Sequence, residues 1–145
     1  MSMNRMLVWL LRLAGAAMLC ALVFVFCPFE WMAAAHLRIG LGELAYTPLG
    51  SYLTRTLSAL YAIVGATLVF VSSDPERYGP LIRFLGFLSV LGGVGVTVLD
   101  AALRLPWFWT VAEGPLTVLL GVALILMAPG GLHAAGRQSS ARDIR

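Results

Sequence analysis

LIRFLGFLSVLGGVGVTVLDAALRL, residues 81–105, is the stretch on which the fold turns. A helix of about 20 apolar residues crosses a ~30 Å hydrocarbon core, and this run is long enough to do so. Yet Arg83, Asp100 and Arg104 lie within it. At 100° per residue, Gly86, Ser89, Gly93, Thr97, Asp100 and Arg104 fall within an ~80° arc, while most of the rest of the helix is Leu, Val and Phe. Small residues let membrane helices approach closely, so this arc is expected to face other helices rather than lipid.

Three more stretches of the same kind flank it: Leu7–Phe26, Pro48–Ser72 and Pro106–Ala128. With 60% hydrophobic and 12% charged residues among 145, no polar segment is long enough to give a soluble domain its surface. The expected fold is therefore all-α, an integral membrane four-helix bundle with an interfacial segment between helices one and two. Residues 1–128 form that single bundle, and residues 129–145, rich in Ser, Ala and Arg, read as a disordered cytoplasmic tail.

Charge and composition narrow the setting. The net charge of +3 comes without a basic stripe, so nucleic acid is excluded as a partner. All ten basic residues are Arg, a coding bias of GC-rich bacterial genomes, which points to a bacterial inner membrane. Arg5, Arg12, Arg77, Arg83, Arg137, Arg142 and Arg145 gather on one side, against Arg38, Arg55 and Arg104 on the other. The positive-inside rule then puts both termini in the cytoplasm.

The connections carry their own signals. Pro28 can open a short helix through Arg38, with Trp31, Met32 and Leu37 at the membrane surface and Gly40 and Gly42 ending it. Thr47 caps the next helix, with Pro48 in its first position. Residues 72–80 read as a tight polar turn. The fourth helix must start near Pro106, because from Pro115 it would be too short to cross; Pro115 inside it predicts a kink just after Glu113. The first span is expected to stay as a helix rather than be cleaved, since Pro28, Glu30 and Trp31 separate it from Ala33-Ala34-Ala35. Cys20 and Cys27, about 10.5 Å apart on one helix, cannot bridge and read as small apolar fillers.

The same phase argument groups Arg55, Ser58, Ala62, Gly65 and Ser72 in the second span, and Glu113, Thr117, Gly121 and Ala128 in the fourth. Three small faces are thus expected to meet inside the bundle. Arg55, Asp100 and Glu113 each sit ~8–10 Å from the outer helix ends, with Arg104 one turn beyond Asp100. This candidate polar cluster of Arg55, Asp100, Arg104 and Glu113 sums to zero charge. It reads either as an ion-pair clasp, Asp100 with Arg104 and Arg55 with Glu113, or as a ligand site opening outward. Tyr61 and His36 are accessory candidates, the latter for proton transfer beside Glu30 and Arg38. His36 has no metal-ligand partner in sequence, since His133 lies on the opposite side, and there is no metal or haem signature. Glu30, Trp31, Trp107 and Trp109 read as an interfacial belt. Cys-x-x-Cys, His-Glu-x-x-His and a Ser/His/Asp set on one side are absent from the sequence, and Gly40–Ala45 mimics a dinucleotide loop without a strand before it.

From Arg55 onward the chain resembles a group of small bacterial four-helix membrane proteins, broadly DoxX-like. The resemblance rests on Arg55-x5-Tyr61-x3-Gly65, on Arg77-Tyr78-Gly79-Pro80-Leu81-Ile82-Arg83, and on Asp100, Pro106 and Glu113-Gly114-Pro115. It implies association with quinol-linked respiratory or redox complexes and makes quinone the candidate cofactor. Residues and resemblance together lead to an accessory or structural subunit without catalysis of its own. Its expected partners are the lipid bilayer and other membrane subunits or further copies of itself. The alternative is a quinone-binding or redox-associated protein using the outward-facing cluster.

Overall fold

The computed structural model describes residues 3–130, whose regular structure is entirely helical. Six helices follow in order: α1 (Met3–Leu19), α2 (Leu22–Phe26), α3 (Phe29–Arg38), α4 (Pro48–Val71), α5 (Gly79–Ala102) and α6 (Trp107–Met127). α1 and α2 together form one span, Met3–Phe26, and α4, α5 and α6 are the others long and apolar enough to cross a membrane. The chain is a multi-pass membrane protein, an all-α bundle with α3 set between the first and second spans. The expected tail lies, from residue 131 on, outside the described residues.

Local chemistry sets the helix ends. Thr47 Oγ1 accepts from the Gly50 N–H at 2.9 Å, and Pro48 occupies the first position of α4, as the sequence predicts. In the turn before α5, Asp74 Oδ1 accepts from the Arg77 N–H at 3.1 Å. Two helices stop at a proline. Cys27 before Pro28 and Ala128 before Pro129 are both extended, with ψ 155° and 126°, because the proline ring crowds the helical conformation of the residue preceding it. Pro115 acts differently: it removes one backbone donor, yet α6 stays helical across it.

α3 and α5 end in the same motif. After α3, the Leu41 N–H reaches the His36 carbonyl and the Gly40 N–H reaches that of Leu37, with Gly40 left-handed at φ 80°. After α5, Leu105 reaches Asp100 and Arg104 reaches Ala101, and the left-handed residue is Arg104, at φ 55°. This is the Schellman arrangement, in which glycine is the usual occupant. α5 therefore stops at Ala102, three residues short of the expected Leu105. The first span also departs from expectation. Ala21, Val23 and Phe24 bond to carbonyls three residues back, a 3₁₀ tightening that separates α1 from α2.

The helices pair as two antiparallel hairpins, α1 and α2 against α4, and α5 against α6. In the second hairpin, a Cβ added to Gly86 would lie 2.8 Å from the Gly121 carbonyl oxygen. A Cβ on Gly93 would lie equally close to that of Gly114. Both contacts are reciprocal, so backbone meets backbone twice, seven residues apart on each helix. In the first hairpin Gly15 and Gly65 make the one corresponding contact, at 2.8 and 2.7 Å. The small face of α4, with Ser58, Ala62 and Gly65, is therefore spent on α1 and α2. The expected meeting of three small faces does not occur, because each hairpin consumes its own.

Between the hairpins, the principal contact is α1 on α6. It forms the apolar core, in which Leu7, Leu11, Leu68, Val71, Ile82, Leu124 and Ala128 are buried together. These residues lie at one end of the bundle, shared by the start of α1, the turn at residues 72–78 and the end of α6. The opposite end carries α3 and the α5–α6 turn.

Candidate functional site

The four residues of the predicted cluster are placed apart. Arg55 faces the first span. Its Nη2 donates to the Cys27 carbonyl at 2.9 Å, its Nη1 to that of Val25, and its Nε to Ser51 Oγ at 3.4 Å. Pro28 ends α2 and leaves those carbonyls without helical donors, and a cation at a helix C-terminus also complements the dipole. Arg55 is thus committed to covering the end of α2. The pairing expected with Glu113 fails because Arg55 shares a helix face with Ser58, Ala62 and Gly65, and that face packs on α1 and α2.

Glu113 meets Tyr61 instead. The Tyr61 hydroxyl donates to Glu113 Oε1 at 3.1 Å, a hydrogen bond from α4 to α6 that joins the two hairpins. From sequence alone Tyr61 is only an accessory candidate. Six residues on from Arg55, it is turned about 120° away from it around α4, toward α6. That phase was legible in the sequence, but nothing there said which side α6 would occupy.

Asp100 is 4% exposed, and its Oδ2 has no hydrogen-bond partner among the described residues. The expected clasp with Arg104 is not made at that oxygen. Side chains four apart face each other only while the helix continues, and α5 ends at Ala102 with Arg104 exposed in the left-handed position of its cap. Asp100 does not share a level with Glu113 either. The Gly86–Gly121 and Gly93–Gly114 register places Glu113 opposite Val94. Asp100, six residues further along α5, is then about 9 Å nearer the end that carries α3. The arrangement is a Tyr61–Glu113 bridge at mid-depth with one buried, unpaired carboxylate oxygen above it.

His36, the other accessory candidate, folds back on its own loop: its Nδ1 lies 3.1 Å from the Gly42 carbonyl oxygen. Among the described residues, no group of three or more His, Cys, Asp and Glu side chains is arranged to hold a metal ion. Cys20 is exposed and Cys27 buried, both as free thiols. At the end of the core, Arg83 Nη2 donates to the Ala128 carbonyl at 3.3 Å, and Arg12 Nε to Ser72 Oγ, also at 3.3 Å. Arg12, Arg55 and Arg83 are thus carbonyl and hydroxyl donors. The sequence carries a further signal in its X-Pro pairs: Cys27-Pro28 and Ala128-Pro129 each mark carbonyls freed at a helix end that need a donor.

Two open grooves lie on either side of α3. One, of about 510 Å³, is lined by Trp31, Ala34, Ala35, Arg38 and Ile39. The other, of about 290 Å³, runs along Ala33, Ala34, Leu37, Glu43, Leu44 and Ala45. Comparison with known proteins finds no matching family model, no matching curated sequence and no matching solved structure.

Proposed function

We propose that this chain is a non-catalytic accessory or structural subunit of a complex in a bacterial inner membrane, or a small homo-oligomer there, with both termini in the cytoplasm. The observation that carries this reading is the uneven packing of the bundle. Each hairpin closes tightly on itself, while the hairpins share an apolar core only at one end. Beyond that core, Leu53, Leu57 and Leu60 of α4 and Leu91, Val94 and Val98 of α5 are all exposed. These are surfaces for lipid or for the helices of another subunit. The arginine asymmetry supports the orientation, and the all-Arg usage supports the bacterial setting.

Purification in mild detergent, followed by identification of co-purifying proteins and measurement of mass in solution, tests the proposal. A stoichiometric membrane partner or a defined oligomer is expected. A monodisperse monomer with no partner overturns it. A C-terminal phosphatase fusion tests the orientation and should be inactive, because a cytoplasmic phosphatase reporter does not fold.

The Tyr61–Glu113 bridge favours a second reading, a quinone-binding or redox-associated protein of the DoxX-like kind. A quinone headgroup needs a donor and an acceptor beside an apolar cleft. Tyr61 and Glu113 supply them, and the unpaired Asp100 oxygen offers another acceptor nearer the surface. Under this reading the purified protein carries extractable quinone, and Glu113→Gln loses it while remaining folded. Full retention by that variant removes the second reading.

A further inference from the structure

We propose that the larger groove on α3 is a binding site for one anionic phospholipid, whose headgroup pairs with Arg38 and whose acyl chain lies over Ala34 and Ala35 between Trp31 and Ile39. α3 sits where a lipid must pass. It leaves the first span at Cys27 and returns to the second at Pro48, so it lies at the ends of the membrane-crossing helices. Trp31, Leu37 and Ile39 are exposed there, at 66%, 58% and 47%. An apolar helix face at the end of a span belongs at the headgroup level, with indole at the interface.

The groove has the composition of such a site. Consecutive alanines lower its floor, Trp31 and Ile39 raise its walls, and Arg38 is its only charged lining residue. The hydrogen bonds around the end of α3 are made by backbone groups and by His36, and Arg38 has no partner in them among the described residues. Glu30, at the other end of α3, is eight residues or about 12 Å away along the axis. An arginine fork matches a phosphate in two parallel hydrogen bonds.

Charge also separates this groove from its neighbour. The smaller groove shares Ala34 but carries Glu43 in place of a cation. An anionic headgroup is therefore drawn to one side of α3 and repelled from the other. That difference selects anionic lipid over a zwitterionic one and assigns it to a single position. Ala35 lines only the first groove and Ala33 only the second, so a matched pair of substitutions can fill either one separately.

The test uses the full chain in phosphatidylcholine nanodiscs doped with phosphatidylglycerol, with retained lipid counted by native mass spectrometry after transfer to detergent. The protein should keep one phosphatidylglycerol in preference to phosphatidylcholine. Arg38→Gln should reduce that preference about five-fold, the effect of one arginine at an anionic surface. Ala35→Phe should abolish it and Ala33→Phe should leave it unchanged, with circular dichroism confirming equal helicity in both. Arg38 is exposed, so its replacement does not threaten folding and keeps the test decisive if Ala35→Phe misfolds. Equal retention by Arg38→Gln and the unaltered protein overturns the proposal. Equal losses in the two folded alanine variants, or displacement of the lipid by inorganic phosphate, also overturn it.

Discussion

The two hairpins solve one problem with different means. Each stops a helix at a proline, which leaves carbonyl oxygens exposed near lipid, and each covers them with an arginine from the opposite helix. In the first hairpin Arg55 makes three hydrogen bonds, two of them to carbonyls of the α2 end. In the second, Arg83 makes one, at 3.3 Å, to Ala128. The backbones explain the difference. α5 and α6 touch through two glycine pairs and hold by close packing along their length, so Arg83 finishes an end that is already fixed. The first span loses its α-helical bonding at Cys20–Ala21, has one glycine pair, and relies on side-chain bonds to tie its last turns to α4. Polar bracing replaces close packing where the helix is broken.

The largest effect should come from Arg55. Arg55→Met leaves two carbonyls without donors, at about 1–3 kcal/mol each, and should lower the unfolding free energy by ~2–5 kcal/mol in a detergent titration. Arg83→Met, with one carbonyl at stake, should cost about 1–3 kcal/mol on the same basis. Equal losses would dissolve the contrast between the hairpins.

Glycine should matter most in the second hairpin. Gly93→Leu would force side-chain atoms into the backbone of α6 and should destabilise by roughly 1–3 kcal/mol, the usual range for overpacking. Its neighbour Gly92 has nothing within 4 Å of an added Cβ. Gly92→Ala should therefore be neutral or gain up to about 1 kcal/mol from helix propensity. Similar losses at both positions, read by thermal unfolding, would show that helix flexibility rather than close approach explains these glycines.

The bridge between hairpins is weaker. A double-mutant cycle of Tyr61→Phe and Glu113→Gln should give a coupling of about 0.6 kcal/mol and at most ~1.7, as for hydrogen bonds between membrane helices. Zero coupling would mean the hairpins are joined by the α1–α6 core alone.

Effects of comparable size are expected at the two Schellman caps. Arg104→Gly should stabilise by about 1 kcal/mol, because a side chain in the left-handed region costs ~1–2 kcal/mol and glycine avoids it. Gly40→Ala should cost a similar amount, about 1 kcal/mol, for the same reason. A loss on Arg104→Gly would indicate that its guanidinium does something the backbone conformation does not explain.

Most of the fold was legible because it depends on local rules. The four spans follow from run length, Thr47-Pro48 from capping, and the turn at residues 72–80 from its polar composition. The candidate site was less legible. Its residues were found by helical phase, which says that Arg55 and Glu113 each face a neighbour but not which one. Asp100 and Arg104 failed for a local reason: a helix continued to Leu105 would have aligned them, and the cap at Leu103 to Leu105 removes that alignment.

By itself the sequence determined that this is an all-α membrane protein, where α3 to α6 begin to within a residue or so, and which helix faces are small. Those are properties of run length, capping and a 100° repeat, each readable within one helix. Only the tertiary structure decided that α4 gives its small face to α1 and α2, that Arg55 covers the end of α2, and that Tyr61 meets Glu113. A helix face carries no label for its partner. Pairing is set when glycine contacts, a 3₁₀ interruption and a proline-ended helix select one arrangement of the four spans, and the polar side chains then bond to whatever that arrangement brings within reach.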